Sequence, residues 1–348
     1  MRTRRVITIL HKWLGLVLSL WLLLVAITGT LLLFKTELLQ LTYSRLNLPA
    51  IPSQEQAAKV FDQRPANYGF VPSEYHPWIE TVDDQGTHHY YSAEGDLLLS
   101  RPAMGDWIEW MVEFHHHLFL HDLGKELQGI LGIGCLLLIF SGLIKWWPRK
   151  RWSKKDLSVR LSKPSQKQWG QTLWQSHRTV GVILFFPILI AVATGTAMMY
   201  STAVGAALQT LFPQDGQERP SIDIPTLSSA SWQERFTAAE AIMPEAQPKL
   251  ISWASNSMRM TQPEEWHKNG RTKIAFDPET HQITEWTNIR EQTLGYRLAQ
   301  KVYPLHIANI GGNTYLTLIF LSGLALILLS VTGVWFWVWC RKKRKVRS

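Results

Sequence analysis

Four long apolar stretches divide the chain, and they cover residues 13–34, 128–147, 177–200 and 313–340. Charged residues are almost absent from each of them. A helix of this length crosses a hydrocarbon core of about 30 Å. The first stretch is longer than the apolar part of a signal peptide, and no small-residue cleavage site follows it, so we interpret it as an uncleaved anchor. The pattern predicts a membrane α-helical protein with four transmembrane helices.

The two long segments between these stretches, residues 35–127 and 201–312, have the mixed pattern of small α+β domains. Each contains one segment that predicts a helix, QEQAAKVFDQ in the first and SWQERFTAAEAIMPE in the second. Alternating segments with turn residues predict strands. They are PWIETVDDQGTHHYYSAEGDLLLSR, with turns at residues 84–86 and 94–96, and RTKIAFDPETHQITEW, with a hairpin turn at residues 277–279. The sequence therefore predicts two small α+β modules beside the transmembrane helices.

The basic residues indicate on which side of the membrane each segment lies. The chain has a formal net charge of +9, and lysine and arginine dominate the short segments at residues 1–12, 148–176 and 341–348, whose only acid is Asp156. By the positive-inside rule, these segments are cytoplasmic. We therefore expect a bacterial inner-membrane protein with both termini in the cytoplasm and the two modules in the periplasm. Because the basic runs adjoin the bilayer, they favour contact with lipid and argue against a nucleic-acid partner.

The two halves of the chain repeat one another. HKWLGLVLSLWLLLVAITGT begins at His11, and HRTVGVILFFPILIAVATGT begins at His177, with histidine, glycine and Thr-Gly-Thr in register. When the second and fourth stretches are aligned on Gly142 and Gly333, His115 matches His306. Since each half crosses the membrane twice, this is a parallel repeat, whose pseudo-two-fold axis lies along the membrane normal.

The repeat places histidines in matched pairs, which indicates a site for haem. His11 and His177 lie at one membrane depth, and His115 and His306 lie at the other. Ionisable residues in or near membrane spans mark functional sites by default. Two facing imidazoles are the axial ligands of a six-coordinate haem iron, so four histidines predict two b-type haems. No C-x-x-C-H motif is present, so the haems are expected to be non-covalent.

Glycines near these histidines are candidates for positions of close approach to a haem. Gly15 and Gly181 each follow the first-pair histidine by one helical turn, where a missing side chain leaves room for a flat macrocycle. Gly29 and Gly195, within the Thr-Gly-Thr triplets, are the corresponding candidates for the other haem. Small residues in membrane spans also serve helix packing, and both roles remain open.

The run HHHLFLH, which starts at His115, leaves other interpretations open. His117 or His121 are alternative ligands to His115 for the second haem, and His116 lies between the candidates. Four histidines within seven residues also form a candidate site for zinc, copper or iron in its own right.

The chain resembles the PepSY-associated transmembrane helix family. The matching motifs are LHKWLGL, SHRTVGV, FHHHLFL, SGLIKWWPRK and LHIANIGG, and together they cover the whole chain. The resemblance implies PepSY-like periplasmic modules, haem ligation by the four histidines, and electron flow from the cytoplasm to the periplasm. The better understood members of this family are reductases of siderophore-bound iron. One departure is that the second half has IANIGGN where the first has HHLFLHDLG, so the second pair is less symmetric.

These features predict a haem-dependent membrane oxidoreductase that reduces a periplasmic ferric complex, most simply a ferric siderophore, and so aids iron release and uptake. No G-x-G-x-x-G motif is present, so the electron donor is expected to be a partner protein or a membrane quinol. The alternatives are a haem subunit that serves another acceptor, or a non-redox module that regulates an envelope peptidase. A metal transporter is a further alternative, but it would require carboxylates inside the spans, and the four cores contain none.

Overall fold

The computed structural model describes residues 2–147, 166–218 and 223–345, and the chain forms two units. The helical unit consists of Met1–Leu33, Met111–Tyr200 and Leu305–Ser348, and the sheet unit consists of Phe34–Trp110 and Ser201–Pro304. In the described residues the helices are α1 (Arg2–Leu32), α2 (Lys35–Thr42), α3 (Gln54–Gln63), α4 (Trp107–His117), α5 (His121–Trp146), α6 (Gln166–Ile183), α7 (Phe185–Met199), α8 (Ser201–Leu211), α9 (Trp232–Ile242), α10 (Leu294–Ala299), α11 (Val302–His306) and α12 (Gly312–Lys345).

Three helices of the helical unit, α1, α5 and α12, are long and apolar enough to cross a membrane. Together, α6 and α7 also meet this criterion, but they are bent by 70° at a break. The predicted third span, residues 177–200, is thus two helices rather than one. Pro187 explains the break, because it has no N–H to donate to the carbonyl of Ile183 and its ring would clash with that carbonyl. Among the described residues, three helices could therefore span a membrane by length and composition, and the number rises to four if the bent pair is one span.

Three helices extend beyond one or both of the limits predicted from apolarity. The basic residues before residue 13 are already helical in α1, α5 begins at His121, before residue 128, and α12 runs from Gly312 to Lys345, past residues 313 and 340. The predicted basic segments at 148–176 and 341–348 lie partly outside the described residues. Hydrogen bonding along a helix continues through charged turns that extend past the hydrocarbon, so apolarity alone underestimates helix length.

In the helical unit, apolar side chains lie both in the core and on the outer surface. Its buried core contains Leu18, Leu22, Cys135, Ile188 and Leu326. On the outer surface, Val17, Leu20 and Phe186 are each about two-thirds or more exposed. Apolar residues on all sides of a helix are typical of a membrane-embedded bundle, where lipid covers the outer face.

The sheet unit contains one antiparallel sheet of eight strands. Its order is β4-β3-β2-β1-β5-β6-β7-β8, so each half of the chain contributes four consecutive strands and the pair β1–β5 joins them. The strands are β1 (Tyr68–Phe70), β2 (Ile79–Val82), β3 (His88–Tyr91), β4 (Leu97–Arg101), β5 (Gln247–Ser252), β6 (Ser257–Thr261), β7 (Thr272–Phe276) and β8 (Ile283–Thr287).

The predicted helices at α3 and α9 and the predicted strands β2, β3, β4, β7 and β8 are present, with turns where they were expected. The two separate modules that the sequence predicts are not present, because all eight strands belong to one sheet. Gly69 of β1 pairs with Ile251 of β5, and the two helices share one core that includes Phe61 and Phe236. Pairing of these strands leaves neither half with an open edge at the centre of the sheet, where unpaired backbone groups would otherwise remain.

Candidate functional site

The first histidine pair consists of His11 on α1 and His177 on α6. Their ring centroids are 6.3 Å apart, with the ring planes at 85°. Nδ1 of His11 lies 3.2 Å from the carbonyl oxygen of Leu138 and 3.0 Å from the Ser141 hydroxyl. A carbonyl only accepts, so Nδ1 carries the proton and donates. The lone pair of His11 is therefore on Nε2.

The tautomer of His177 is fixed in the same way. Its Nδ1 lies 3.1 Å from the hydroxyl oxygen of Thr332, and that hydroxyl donates its own proton to the carbonyl of Leu328. The oxygen of Thr332 is then an acceptor for Nδ1–H. Since Ser141 and Thr332 each directly precede an aligned glycine, Gly142 or Gly333, the two halves of the repeat supply equivalent partners. Both rings thus keep Nε2 available for a metal.

The second histidine pair consists of His115 at the end of α4 and His306 at the end of α11. Their ring centroids are 6.2 Å apart, with the planes at 28°. Nδ1 of His115 lies 3.2 Å from the hydroxyl of Thr28, and Nδ1 of His306 lies 3.2 Å from that of Thr194 and 3.0 Å from the carbonyl of Ala191. Both threonine hydroxyls donate to carbonyls one turn back on their own helices and so accept from the rings. This pair also presents Nε2.

The structure explains the two Thr-Gly-Thr triplets. The first threonine of each triplet bonds the second-pair histidine, as described. A Cβ on Gly29 would lie 2.6 Å from Cε1 of His115, and a Cβ on Gly195 would lie 2.7 Å from Cε1 of His306. The last threonines, Thr30 and Thr196, pack against glycines of the neighbouring helices α12 and α5. Gly29 and Gly195, which we expected to give clearance to a haem, therefore make room for the imidazole.

A cavity of about 600 Å³ surrounds the first pair. Gly15 and Gly181 line it, as do His11 and His177, and its deep end is formed by apolar residues such as Leu22 and Ile188. The nearest atoms to a Cβ on Gly15 or Gly181 would be leucine methyl groups at 3.4 and 3.5 Å. The volume is within the usual range for cofactor pockets, roughly 300–1,000 Å³. These two glycines line a cofactor-sized space, and their role in haem clearance stays a prediction.

The spacing within each pair fits a metal held between two imidazoles. With metal–nitrogen bonds of about 2.0 Å and a ring radius of about 1.1 Å, imidazoles on opposite faces of one metal have centroids roughly 6.2–6.4 Å apart. The observed separations are 6.3 and 6.2 Å. The hydrogen bonds at Nδ1 are those that commonly orient a metal-ligating histidine. Four histidines, in two pairs, thus have the donor set and spacing of bis-histidine haem sites.

The other histidines of the HHHLFLH run are not members of the two pairs, although the ring of His116 contacts that of His115 at a centroid distance of 5.8 Å. His116 is exposed, Nδ1 of His117 lies 3.0 Å from a carboxylate oxygen of Glu113, and His121 is exposed at the start of α5. Among the residues that the structure describes, no group of three or more histidine, cysteine or acidic side chains is arranged to hold a metal ion. The alternative of a separate metal site in this run therefore has no structural basis there.

One feature of the second pair is present in only one half. Trp21 on α1 donates from Nε1 to Oε1 of Gln128 at 2.6 Å, and Nε2 of Gln128 donates to the carbonyl of His115 at 2.6 Å. The repeat-equivalent positions are Pro187 and Ile319, which cannot form this chain. Gln128 secures the end of α4 in the first half, and sequence reasoning missed it because its partners are distant along the chain.

The sheet unit contains a buried ionisable cluster that sequence reasoning also missed. Nδ1 of His88 lies 2.6 Å from one oxygen of Glu80, and Nε1 of Trp78 donates to the other at 3.1 Å. Burial would raise the pKa of Glu80, but the hydrogen bond from His88 and the nearby cations lower it to about 2. Burial lowers the pKa of the neighbouring His76 to about 4. Alternation within β2 and β3 gives the only sequence signal for this cluster.

The comparison with known families identifies what the chain is. No curated protein matches it. The family model described as the PepSY-associated TM region matches residues 8–340, which include all four paired histidines. The match confirms the resemblance inferred from the motifs around these histidines. The chain therefore belongs to the family defined by the PepSY-associated TM region.

Proposed function

We propose that the chain is an inner-membrane oxidoreductase that holds two b-type haems and reduces a ferric chelate in the periplasm. The observation that carries this proposal is the pair of matched histidine separations, 6.3 and 6.2 Å, with every Nδ1 engaged by a hydroxyl or carbonyl oxygen. When bound, the haems would supply reversible one-electron transfer. The chain supplies the four Nε2 ligands and an apolar surrounding.

The residues around each pair suit electron transfer rather than chemistry on a bound small molecule. Two histidines would hold each haem through Nε2, and a haem held in this way would supply electron transfer rather than a site where a substrate binds the iron. The hydroxyl and carbonyl acceptors hold each ring and strengthen its basicity. The interval from His11 to Thr28 corresponds to about 25 Å of helix, so the two pairs lie towards opposite faces of the membrane.

The direction of electron flow follows from the topology that we propose. By the positive-inside rule, the basic segments favour the cytoplasmic side for the His11–His177 pair and the periplasmic side for the His115–His306 pair. The donor is then a cytoplasmic protein or a membrane quinol, and the acceptor is periplasmic. A ferric siderophore is the acceptor that best fits the family resemblance. Reduction of Fe³⁺ to Fe²⁺ consumes one electron per iron and weakens binding by hard oxygen ligands, which favours release.

The test uses the purified full chain in proteoliposomes, reduced with dithionite and freed of excess reductant. A ferric hydroxamate is then added with a chromogenic Fe²⁺ chelator. We expect about two Fe²⁺ per chain, because each haem supplies one electron. The variant His177→Ala should deliver at most half of this, and His121→Ala, changed at an exposed histidine outside the pairs, should match the unchanged chain. Haem oxidation without any Fe²⁺ would reject the substrate, and a chain that takes up no haem would reject the oxidoreductase itself.

A further inference from the structure

The cavity around the first histidine pair has a mouth and a deep end of different chemistry. Its deep end is apolar, with Leu22, Cys135, Ile188 and Leu326. At its mouth are Lys12 on α1 and Arg178 on α6, together with Lys145 and Arg341 near the ends of α5 and α12. Among the described residues that line the cavity, none is a carboxylate. We call these four basic residues the basic rim.

Tryptophans hold part of the basic rim in place. The guanidinium of Arg178 lies 4.8 Å from the ring of Trp174, and that of Arg341 lies 4.7 Å from the ring of Trp337. Cation–π contacts of this kind restrict an arginine side chain without neutralising its charge. The cavity mouth is therefore a fixed region of positive charge above an apolar space.

Lys145 is the member of the rim that the repeat does not explain. The position that matches it in the second half is Phe336, which also lines the cavity. Lysine at the end of a span is ordinarily explained by lipid head groups or by the positive-inside rule. Either explanation accounts for the positive charge of Lys145. Contact with head groups would be made by a side chain on the lipid-facing surface, however, and Lys145 lines the cavity between the helices that carry His11 and His177.

An apolar space with a cationic mouth suits a ligand that is flat and apolar at one end and doubly anionic at the other. The propionate groups of haem b supply such charges on one edge of the ring. We propose that the basic rim, with Lys145 as its central member, binds the two carboxylates of the haem at the His11–His177 pair and so orients them towards the mouth. This inference rests on the proposed function, since it assigns further binding residues to the same site.

The test compares haem b with its dimethyl ester, in which both carboxylates are neutral. Apo-protein carrying His115→Ala, which leaves one complete pair, is titrated with each ligand and followed by the Soret absorbance. We expect the ester to bind at least about tenfold more weakly than haem b, the size of one charge-assisted interaction. In Lys145→Gln the difference should shrink to about threefold or less, whereas Lys145→Arg, which keeps the charge, should retain it.

A matched control and a second readout exclude a general loss of folding. Lys125→Gln changes a lysine on the same helix, α5, that does not line the cavity, and it should leave the preference for haem b unchanged. The midpoint potential of the bound haem should fall in Lys145→Gln, because a positive charge near the iron is removed. Equal binding of haem b and its ester by the unchanged rim would overturn this inference alone. Failure of both ligands to bind would overturn the proposed function as well.

Discussion

At the scale of single residues, the site depends on groups that hold the histidines rather than on the histidines alone. Each Nδ1 is matched to an oxygen on a neighbouring helix, from Ser141, Thr332, Thr28 or Thr194. These oxygens decide the tautomer and therefore which nitrogen can bind iron. Removing a partner of this kind typically lowers metal affinity tenfold to a hundredfold.

Thr28→Val tests this contribution at the second pair. Valine keeps the branched shape but cannot accept from Nδ1 of His115, so we expect haem affinity at that pair to fall about tenfold. The readout is haem occupancy during dilution, together with the low-spin electron paramagnetic resonance signal of each haem. Thr317→Val is the control, because that exposed hydroxyl donates only to Asn313 of its own helix. Equal haem occupancy in the two variants would show that the Thr28 hydroxyl does not contribute to haem affinity at this pair.

Gly29→Ala tests the space beside the second pair. The new methyl group would lie 2.6 Å from Cε1 of His115, which is closer than real contacts allow, so the ring must move. We expect the loss of about one haem per chain and little change at the His11–His177 pair. Gly205→Ala is the matched control, since nothing lies within 4 Å of its Cβ position. Retention of both haems in Gly29→Ala would show that the imidazole does not need this position empty.

At the scale of secondary-structure elements, the sheet depends on the ionisation of the cluster on β2 and β3. Glu80 is buried against His88 and Trp78, with His76 at 3.7 Å. The pKa values of His76 and Glu80 both lie below those of the unfolded chain, so the unfolded state binds more protons as the pH falls. Stability is therefore complete above about pH 6.5. It declines as the pH falls, through His76 between about 6.5 and 4 and through Glu80 between about 4.5 and 2.

Glu80→Gln should remove the lower part of this acid dependence. The depressed pKa of the carboxylate corresponds to stability on the order of 3 kcal/mol at neutral pH, which the amide lacks. Hydrogen exchange of the β2 and β3 amides between pH 3 and 7 measures it. Glu94→Gln, at an exposed turn residue, is the control and should keep the dependence of the unchanged chain. A pH profile in Glu80→Gln identical to that of the control would contradict the assignment.

At the scale of the whole molecule, a repeated sequence supports functions that are not fully symmetric. The repeat gives two histidine pairs, but among the described residues only the first half has the Trp21–Gln128 link to His115. At the cavity mouth, Lys145 of the first half is matched by Phe336 of the second. In the sheet unit the two halves do not remain separate, because β1 and β5 pair. The repeat thus gives the two histidine pairs a common framework, and the positions at which the halves differ give the pairs unlike surroundings.

The sequence was sufficient for the apolar helices, the repeat, the histidine pairing and most strands, because each has a local period or an internal copy. It was insufficient where the determinant is distant along the chain. The oxygens of Ser141 and Thr332 were missed since hydroxyls in membrane helices are common and their partners are remote. The three-residue strand Tyr68–Phe70 was missed because it has too few residues to show alternation, and the joined sheet with it. The bend before Pro187 was not predicted, because membrane helices tolerate proline and the apolar stretch 177–200 continues through it, and the 70° angle depends on packing.

The haem content of the purified chain tests the central claim most directly. The full chain, expressed with haem supplied and purified in mild detergent, is assayed by pyridine haemochrome against protein mass, in parallel with His11→Ala, His306→Ala and the control His117→Ala. The account predicts two b-type haems in the unchanged chain and the control, and about one in each of the other two variants. A folded chain without haem, or equal haem content in all four proteins, would contradict it.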